Sequence, residues 1–199
     1  LTGTLITSNK KISVFSGHNC AYVPASTPAC NHLVEQIPPL SSWGKHFYVG
    51  TLETRSRSTL RVLASEPNTK VFLNSELVTV LNSGEYYENP NMSKNTQITA
   101  DKPILVIQYS YSSYSDGEPL EDPAMCLVVP VEQYTMSTVF QTPSNAAYVN
   151  NFLNLLAIGD STDPVQTKLQ TVTIEGSAGG KFKVADKFPL FLVNRIPGT

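Results

Sequence analysis

The stretch that decides the fold is residues 15–48, which read FSGHNCAYVPASTPACNHLVEQIPPLSSWGKHFY. It contains two of the three cysteines, all three histidines and the single tryptophan of the chain. Its four prolines lack the amide hydrogen that a helix interior or a central strand requires, so neither structure is expected here. We therefore predict a long crossover loop that joins two β elements.

The cysteines of this stretch predict a covalent link across the loop. Three cysteines in the chain allow three different single disulfides. Cys20 and Cys30 flank a short segment rich in Pro, Ser and Thr, and we predict a disulfide between them. It would stabilise the fold by roughly 2–3 kcal/mol and implies an oxidising compartment. Because His18 and His32 lie two residues from these cysteines, a zinc site is the alternative, and histidines bonded to the loop backbone are the expectation.

The composition excludes several classes of partner. A net charge of -2 and a pI near 5.9 offer no basic surface for nucleic acid or for an anionic membrane. An apolar fraction of 41% with 15% charged residues describes a folded chain. The apolar runs are far too short for membrane insertion. The chain opens at Leu1 and closes within a strand-like pattern, so we expect a piece of a longer protein whose targeting signal lies elsewhere.

Apolar and polar residues alternate with a period of two along most of the chain, which is typical of β-strands. Strands are predicted, among other places, at residues 5–7, 12–15, 59–64, 98–99, 104–109, 134–141 and 169–174. The sequence ITSNKKISVFS from Ile6 recurs as ITADKPILVIQ from Ile98, an offset of 92 residues. At nearly the same offset, residues 61–64 match residues 154–157. Matches that keep their order and spacing indicate a tandem duplication.

These patterns predict the fold class and the domains. We predict an all-β fold of two tandem, internally repeated antiparallel β-sandwich units of about 92 residues, joined by the disulfide-stapled loop. The first unit is expected at residues 1–94, including the loop at 15–47, and the second at residues 95–199. In an alternative phase of the repeat, the compact unit runs from residue 43 to residue 111.

Two sets of side chains are candidates for contact with a partner. Tyrosine offers a large amphipathic surface at low entropic cost, and serine and glycine neighbours add adaptable hydrogen bonds. Arginines that alternate along a strand share one face and can bind acidic glycans. The structural alternative is that the tyrosines pack in the core and that the arginines form a solvated face. The candidates are Tyr109, Tyr111 and Tyr114, with Arg55, Arg57 and Arg61.

The remaining polar groups predict modification rather than catalysis. Asn91 begins an Asn-Met-Ser sequon for N-glycosylation. Cys126 lies in an apolar run and is predicted to be a buried thiol, with a disulfide to a cysteine outside the chain as the alternative. No HExxH or GxSxG motif and no phosphate-binding glycine loop is found, so we predict that the chain is not an enzyme. The carboxylates of one loop lack the order of an EF-hand and are expected to be solvated; they are Asp116, Glu118, Glu121 and Asp122.

A family resemblance rests on four blocks of residues. They are FSGH-x-CA-x-VP, AC-x-HLVEQ-x-PP and WG-x-x-F within residues 15–47, and ITADKPILV from Ile98. These blocks resemble the N-terminal domain of the IgG Fc-binding protein family, which consists of secreted, mucus-associated glycoproteins. The resemblance is dense over residues 6–52 and 98–134. The chain departs from the family at Lys11, where the family has proline, and at Cys126, in a run that is normally apolar.

The resemblance implies an extracellular module whose partner is immunoglobulin Fc or a mucin-like glycoprotein, although it assigns no contact residues. Together with the sequence patterns, it predicts a non-catalytic binding or adhesion module of a larger secreted glycoprotein that contacts an extracellular protein or glycan without a cofactor. The alternative is a structural building block that self-associates in a filament, matrix or mucus gel. Free strand edges and exposed tyrosines at a contact between copies would favour that alternative.

Overall fold

The structure is a computed structural model that describes residues 2–112, 114, 122–139, 150–157, 181–187 and 190–197. It is all-β with antiparallel strands, as predicted from the sequence. The chain divides into two compact units, residues 1–134 and residues 135–199. In the part of the chain described, no helix has the length and apolar character needed to span a membrane.

The first unit contains nine strands, and two short 3-10 helices, Leu40–Ser42 and Val131–Gln133, follow the second and ninth of them. The strands are β1 (Val14–Ala21), β2 (Asn31–Ile37), β3 (Gly44–Val49), β4 (Ser58–Ala64), β5 (Thr69–Leu73), β6 (Glu76–Leu81), β7 (Tyr86–Met92), β8 (Thr96–Ser110) and β9 (Met125–Val128). The second unit contains a sheet in the order β10–β12–β11, formed by β10 (Asn150–Ala157), β11 (Lys181–Lys187) and β12 (Leu190–Pro197).

Strand β8 is the centre of the seven-stranded sheet in the first unit, because each of its edges pairs with two strands placed end to end. One edge pairs with β3 and then with β9, and the other pairs with β5 and then with β4. Strands β6 and β7 add to β5 and β4. The ladder on the second edge changes partner at residues 101–103. Pro103, which has no amide hydrogen to donate, falls in this gap.

The main core lies on one face of this sheet. The alternation of the strands places one set of apolar side chains on that face, where removal from water stabilises each large aliphatic side chain by about 1.5–3 kcal/mol. Ile98, Ile104 and Val106 of β8 are each 0% exposed. The other members of the cluster are Phe47, Val49, Leu60, Val62, Ala64, Val71, Leu81, Met92 and Ala100.

Strands β1 and β2 form a separate two-stranded hairpin that packs on the opposite face of the sheet. Val23 and Leu33 of the hairpin region bury against Leu105 and Ile107 of β8. The hairpin therefore covers the second face of β8. This explains why residues 104–110 are all buried and why residues 104–107 form an unbroken apolar run.

Hydrogen bonds also anchor the tip of the hairpin to the end of β8. The Val23 amide donates to the Ser112 hydroxyl at 3.1 Å, and the Ser112 amide donates to the Val23 carbonyl at 2.9 Å. Because both residues are buried, this pair satisfies backbone groups that water cannot reach. The hairpin is thus positioned by polar as well as apolar contacts.

The long crossover loop predicted for residues 15–47 is wrong, since most of that stretch belongs to β1, β2 and β3. The four prolines are grouped in two places and leave the residues between them free to pair. Pro24 and Pro28 lie in the hairpin tip, and Pro38 and Pro39 precede the first 3-10 helix. The predicted disulfide is present between Cys20 and Cys30, with 5.0 Å between the Cα atoms. It closes the tip of the hairpin.

The predicted boundary at residues 94 and 95 falls inside the first compact unit. The reason is that β8, which follows this position, pairs with β3, β4 and β5, which precede it. The alternative phase, residues 43–111, contains β3 to β8, all of which belong to the seven-stranded sheet. The division of the chain into two tandem sandwich units stays a prediction.

Candidate functional site

Four of the side chains singled out in the sequence meet beside β4 and β7: Arg57, Arg61, Tyr109 and Tyr111. Strand β7 is an edge of the seven-stranded sheet, and the register places Arg61 of β4 opposite Glu88 of β7. Val62 is fully buried, and Arg61, its neighbour, points to the other face and remains partly exposed. We define the arginine–tyrosine patch as Arg57, Arg61, Tyr86, Glu88 and Asn91.

Arg61 is held in place from three directions. Its guanidinium carbon lies 4.8 Å from the ring centre of Tyr86 and 5.4 Å from that of Tyr109. Its Nε and Nη2 donate to Oε2 of Glu88 at 3.0 and 2.6 Å. Cation–π contact and charge-assisted hydrogen bonds together fix the plane of the guanidinium. The side chain is still 28% exposed, so a partner can reach a group that is already oriented.

The electrostatics of the patch keep Arg61 charged. Burial on its own lowers the pKa of Arg61, but the hydrogen bond to Glu88 and the neighbouring Tyr109, Glu88 and Tyr86 outweigh it and raise the pKa. Burial also raises the pKa of the Tyr109 hydroxyl, although Arg61 opposes that change. The patch therefore presents a cation held between the rings of Tyr86 and Tyr109.

Arg57 forms a second stacked pair beside the first. Its guanidinium carbon lies 5.1 Å from the ring centre of Tyr111, and its Nη1 donates to Oδ1 of Asn91 at 3.2 Å. The Tyr111 hydroxyl contacts the same Asn91 oxygen at 3.1 Å and the carbonyl oxygen of Pro90. Asn91 is exposed at the end of β7, so the predicted glycosylation site is itself part of the patch.

Arg55, the third predicted arginine, stabilises the chain that leads away from β8. Its Nη1 donates to the carbonyl oxygen of Tyr111 at 3.3 Å and its Nη2 to that of Asp122, also at 3.3 Å. These bonds join the two ends of the loop between β8 and β9. Both of these hydrogen bonds go to backbone oxygens, whereas Arg57 and Arg61 lie over aromatic rings.

The predicted tyrosines differ in their placement. Tyr109 and Tyr111 are 7% and 2% exposed, so they support the arginines from below and do not reach solvent themselves. Tyr114 is 67% exposed. Tyr86 and Glu88 were not among the predicted site residues, because only the β4–β7 register brings them beside Arg61. The predicted acidic loop residues Asp116, Glu118 and Glu121 lie outside the described residues.

A pocket beside Trp43 is too small for most ligands. This apolar pocket of about 130 Å³ is lined by Trp43, Phe47, Ile104 and Leu127, among others. Sites for drug-sized ligands usually measure about 300–1,000 Å³. The patch, rather than this pocket, is therefore the candidate functional site.

The zinc alternative for the cysteine–histidine cluster does not fit the structure. Cys20 and Cys30 share a disulfide, so their sulfurs are not the thiolates that zinc binds. Nδ1 of His18 accepts a hydrogen bond from the Cys20 amide at 3.1 Å, which is the backbone role expected for this histidine. Within the described ranges, no group of three or more His, Cys, Asp or Glu side chains is arranged to hold a metal ion.

Cys126 is exposed, so the prediction of a buried thiol is wrong. It lies on β9, which contacts β2. Although the residue as a whole is exposed, nearby protein atoms partly desolvate its sulfur and raise the pKa of the thiol, and the negative charge of Glu35 raises it further. A catalytic cysteine needs the opposite change.

The reactivity of Cys126 follows from that pKa. At pH 8 we expect its reaction with iodoacetamide to be slower than that of free cysteine, because a smaller fraction is thiolate. Glu35→Gln removes a negative charge, so the pKa should fall and the reaction should accelerate, whereas Glu66→Gln serves as the control. Mass spectrometry of the alkylated chain measures both rates. A faster reaction than that of free cysteine would contradict the electrostatic account.

Comparison with known proteins places the chain in a family. The fold and the site define a disulfide-bonded, all-β module with an arginine–tyrosine surface. The chain matches the family described as IgGFc binding protein over residues 1–190, and it belongs to this family. It is similar to the IgGFc-binding protein of Homo sapiens, with 30% identity over 146 residues, which is 71% of this chain and 3% of that protein. No solved structure matches the chain.

Proposed function

We propose that this chain is a non-catalytic, extracellular binding module that contacts the Fc region of immunoglobulin through the arginine–tyrosine patch. The observation that carries the proposal is the preorganisation of Arg61, whose guanidinium is stacked and hydrogen-bonded yet accessible. Membership in the family, and the name of the human relative, support immunoglobulin Fc as the partner. The chain spans 3% of the length of the human relative. What a longer parent protein would bind is therefore also part of this proposal.

The physical argument for a protein partner is the composition of the patch. Arginine, tyrosine and tryptophan dominate the residues whose truncation costs the most binding energy in protein interfaces. A side chain already held in one conformation loses little entropy on binding, which favours affinity. Tyr86 is 46% exposed and adds an amphipathic surface next to Arg61. An exposed cation on tyrosine rings therefore suits a mixed polar and apolar protein surface.

The secreted setting is supported by the disulfide of the hairpin, because such bonds persist in oxidising compartments. The exposed sequon at Asn91 agrees with passage through a eukaryotic secretory pathway. A sulfated or sialylated glycan is the competing partner for the arginines. Because Arg61 already forms an ion pair with Glu88, a glycan sulfate would have to displace the Glu88 carboxylate.

Binding to an immobilised human immunoglobulin G Fc fragment tests the proposal. By surface plasmon resonance, Arg61→Ala is expected to weaken binding about 30-fold, the effect of losing roughly 2 kcal/mol at a central interface residue. Arg61→Lys should also weaken it, because lysine keeps the charge but not the planar stacking. Lys70→Ala, an exposed cation on β5, is the matched control.

Two results would count against the proposal. One is an unchanged affinity for Arg61→Ala while the thermal unfolding of the variant matches that of the parent. The other is the absence of Fc binding together with salt-sensitive binding to a sulfated glycan, which would assign the arginines to that ligand. Measuring both ligands with the same variants separates these cases.

A self-associating structural building block is the second candidate function. It is supported by a different surface, the outer edge of strand β1. Among the described residues, the hairpin strand β1 pairs with β2 on one edge, and no described strand pairs with its other edge. Large apolar residues beside this edge are exposed, among them Ile12 and Phe15. A free edge with apolar neighbours is the feature that self-association would use.

A further inference from the structure

The residues before and at the start of β1 carry apolar side chains that the first unit does not cover. Ile6 and Ile12 lie in the segment that precedes β1 and are 55% and 54% exposed. Phe15, in β1, is 65% exposed. In water these side chains forgo about 1.5–3 kcal/mol each that burial would supply. They therefore mark a surface suited to a partner.

The internal repeat shows which environment such residues fit. At the offset of 92 residues, Ile6 corresponds to Ile98 and Ile12 to Ile104, and both of these are 0% exposed. Phe15 corresponds to Ile107, which is 7% exposed. The same sequence pattern is thus buried in β8 and uncovered beside β1.

The repeat is also preserved in the pairing of the strands. Val14 of β1 pairs with Ile37 of β2, and Val106 of β8 pairs with Val128 of β9. A 3-10 helix follows each pair, at Leu40–Ser42 and at Val131–Gln133. The β1–β2 hairpin is therefore the counterpart of the β8–β9 pair.

The two pairs differ at the second edge of the repeated strand, which is β1 in the hairpin and β8 in the large sheet. The second edge of β8 is covered by β4, in a register that sets Ala64 opposite Ile104. A third occurrence of the pattern, Asp186-Lys187-Phe188-Pro189-Leu190, resembles Asp101-Lys102-Pro103-Ile104. There β10 covers β12 with Ala157 opposite Leu190.

The β4–β8 pairing and the β10–β12 pairing have the same register, residue for residue. Residues 154–157 of β10 are the repeat equivalents of residues 61–64 of β4. A β4-type strand thus covers the repeated strand in both units, and β1 is the one occurrence in the described residues whose second edge has no such strand.

We propose that the edge of β1 that has no partner among the described residues, with residues 10–13 before it, is a docking site for a β4-type strand of a second copy of this repeat that is unpaired in its own sheet. The register of β4 on β8 then sets Val62 of the incoming strand opposite Val14, and Ala64 opposite Ile12. Ile12 and Phe15 are flanked by the incoming strand at this contact between copies, and Ile6 lies beyond its end. The mode is β-strand addition, in which main-chain hydrogen bonds give affinity and alternate side chains give specificity.

The docking site does not involve the arginine–tyrosine patch, so it stands independently of Fc binding. In the folded chain, β8 and β7 already pair with the two edges of β4, so a synthetic peptide is used to supply an unpaired β4-type strand. The probe is a synthetic peptide with the sequence of residues 57–66, RSTLRVLASE. The matched control peptide carries Val62→Asp, which places a charge where the incoming strand faces the core.

Hydrogen exchange of the 199-residue chain reads out the contact. With saturating peptide, we expect amides of residues 12–18 to exchange at least about tenfold more slowly, as for newly paired strands, with no protection from the control peptide. In a Cys126→Ser background, a peptide with cysteine at position 62 should form a disulfide with Val14→Cys faster than with Phe15→Cys, because only Val14 faces it in this register.

Three outcomes would overturn the inference. The first is the absence of protection at residues 12–18 at millimolar peptide. The second is equal protection by both peptides, which would show contact without the predicted register. The third is altered exchange in β8 with none in β1, which would mean that the peptide exchanges with β4 instead of occupying the free edge.

Discussion

Replacing Ile104 with alanine is expected to lower the free energy of unfolding of the first unit by about 2–5 kcal/mol, the usual range for truncating a buried isoleucine. Ile104 is 0% exposed and lies in β8, where β3 and β4 pair with it on opposite edges. The surrounding strands are fixed by these ladders, so the structure has little freedom to collapse around the cavity. A value near the upper end of the range is therefore expected.

The repeat supplies a matched control for this variant. Ile12 is the sequence equivalent of Ile104 and is 54% exposed, so Ile12→Ala should change the stability by less than about 0.5 kcal/mol. Guanidinium unfolding followed by the fluorescence of Trp43, the single tryptophan, reports on the first unit. Equal losses for the two variants would show that the burial assigned to the central strand is incorrect.

The second large effect concerns the disulfide of the hairpin. The double variant Cys20→Ala/Cys30→Ala removes a constraint between residues separated by 10 positions. In the chain-entropy model, that constraint contributes about 2–3 kcal/mol. Because the hairpin is a separate two-stranded sheet, we expect the loss to appear there first.

Hydrogen exchange distinguishes a local loss from a global one. Amides of β1 and β2 should exchange about 30- to 150-fold faster, which is the equivalent of 2–3 kcal/mol. Amides of the β5–β6 pair serve as the internal control and should keep their rates, since no member of that pair contacts the hairpin core. A uniform acceleration across the two regions would contradict the separate role of the hairpin.

The sequence predicted much of the fold because alternation is a local property. The strand predicted at residues 59–64 is β4, Ser58–Ala64. The strands predicted at 98–99 and 104–109 are one strand, β8, because Asp101-Lys102-Pro103 resembles a turn but continues the extended chain. The Asp101 carboxylate accepts a hydrogen bond from the Lys70 amide at 2.8 Å, which compensates for a missing ladder partner.

Other strand predictions failed because pairing with a neighbouring strand, rather than the alternation of side chains, decides whether a segment forms a strand. Residues 5–7 alternate but form no strand, because no neighbouring strand pairs with them in the described residues. Residues 134–139 also lie outside any strand, and the prediction for residues 169–174 falls outside the described residues. Tertiary pairing thus overrides a local pattern.

The candidate site was predictable in residue type but not in its arrangement. The sequence indicates arginines on one face and a tyrosine-rich strand end, and the structure brings Arg57 and Arg61 over Tyr111 and Tyr109. Tyr86 could not be placed beside Arg61 from the sequence, because β5 and β6 intervene between the two strands. Such non-local pairs depend on the register of the whole sheet.

Hydrogen exchange of the chain, free and bound to immunoglobulin G Fc, is the most direct test of the central claim that the arginine–tyrosine patch contacts the partner. The account predicts slower exchange in β4 and β7 on binding, Ser58–Ala64 and Tyr86–Met92, and unchanged exchange in β5 and β6. Protection confined to β5 and β6, or to the hairpin, with β4 and β7 unchanged, would contradict it.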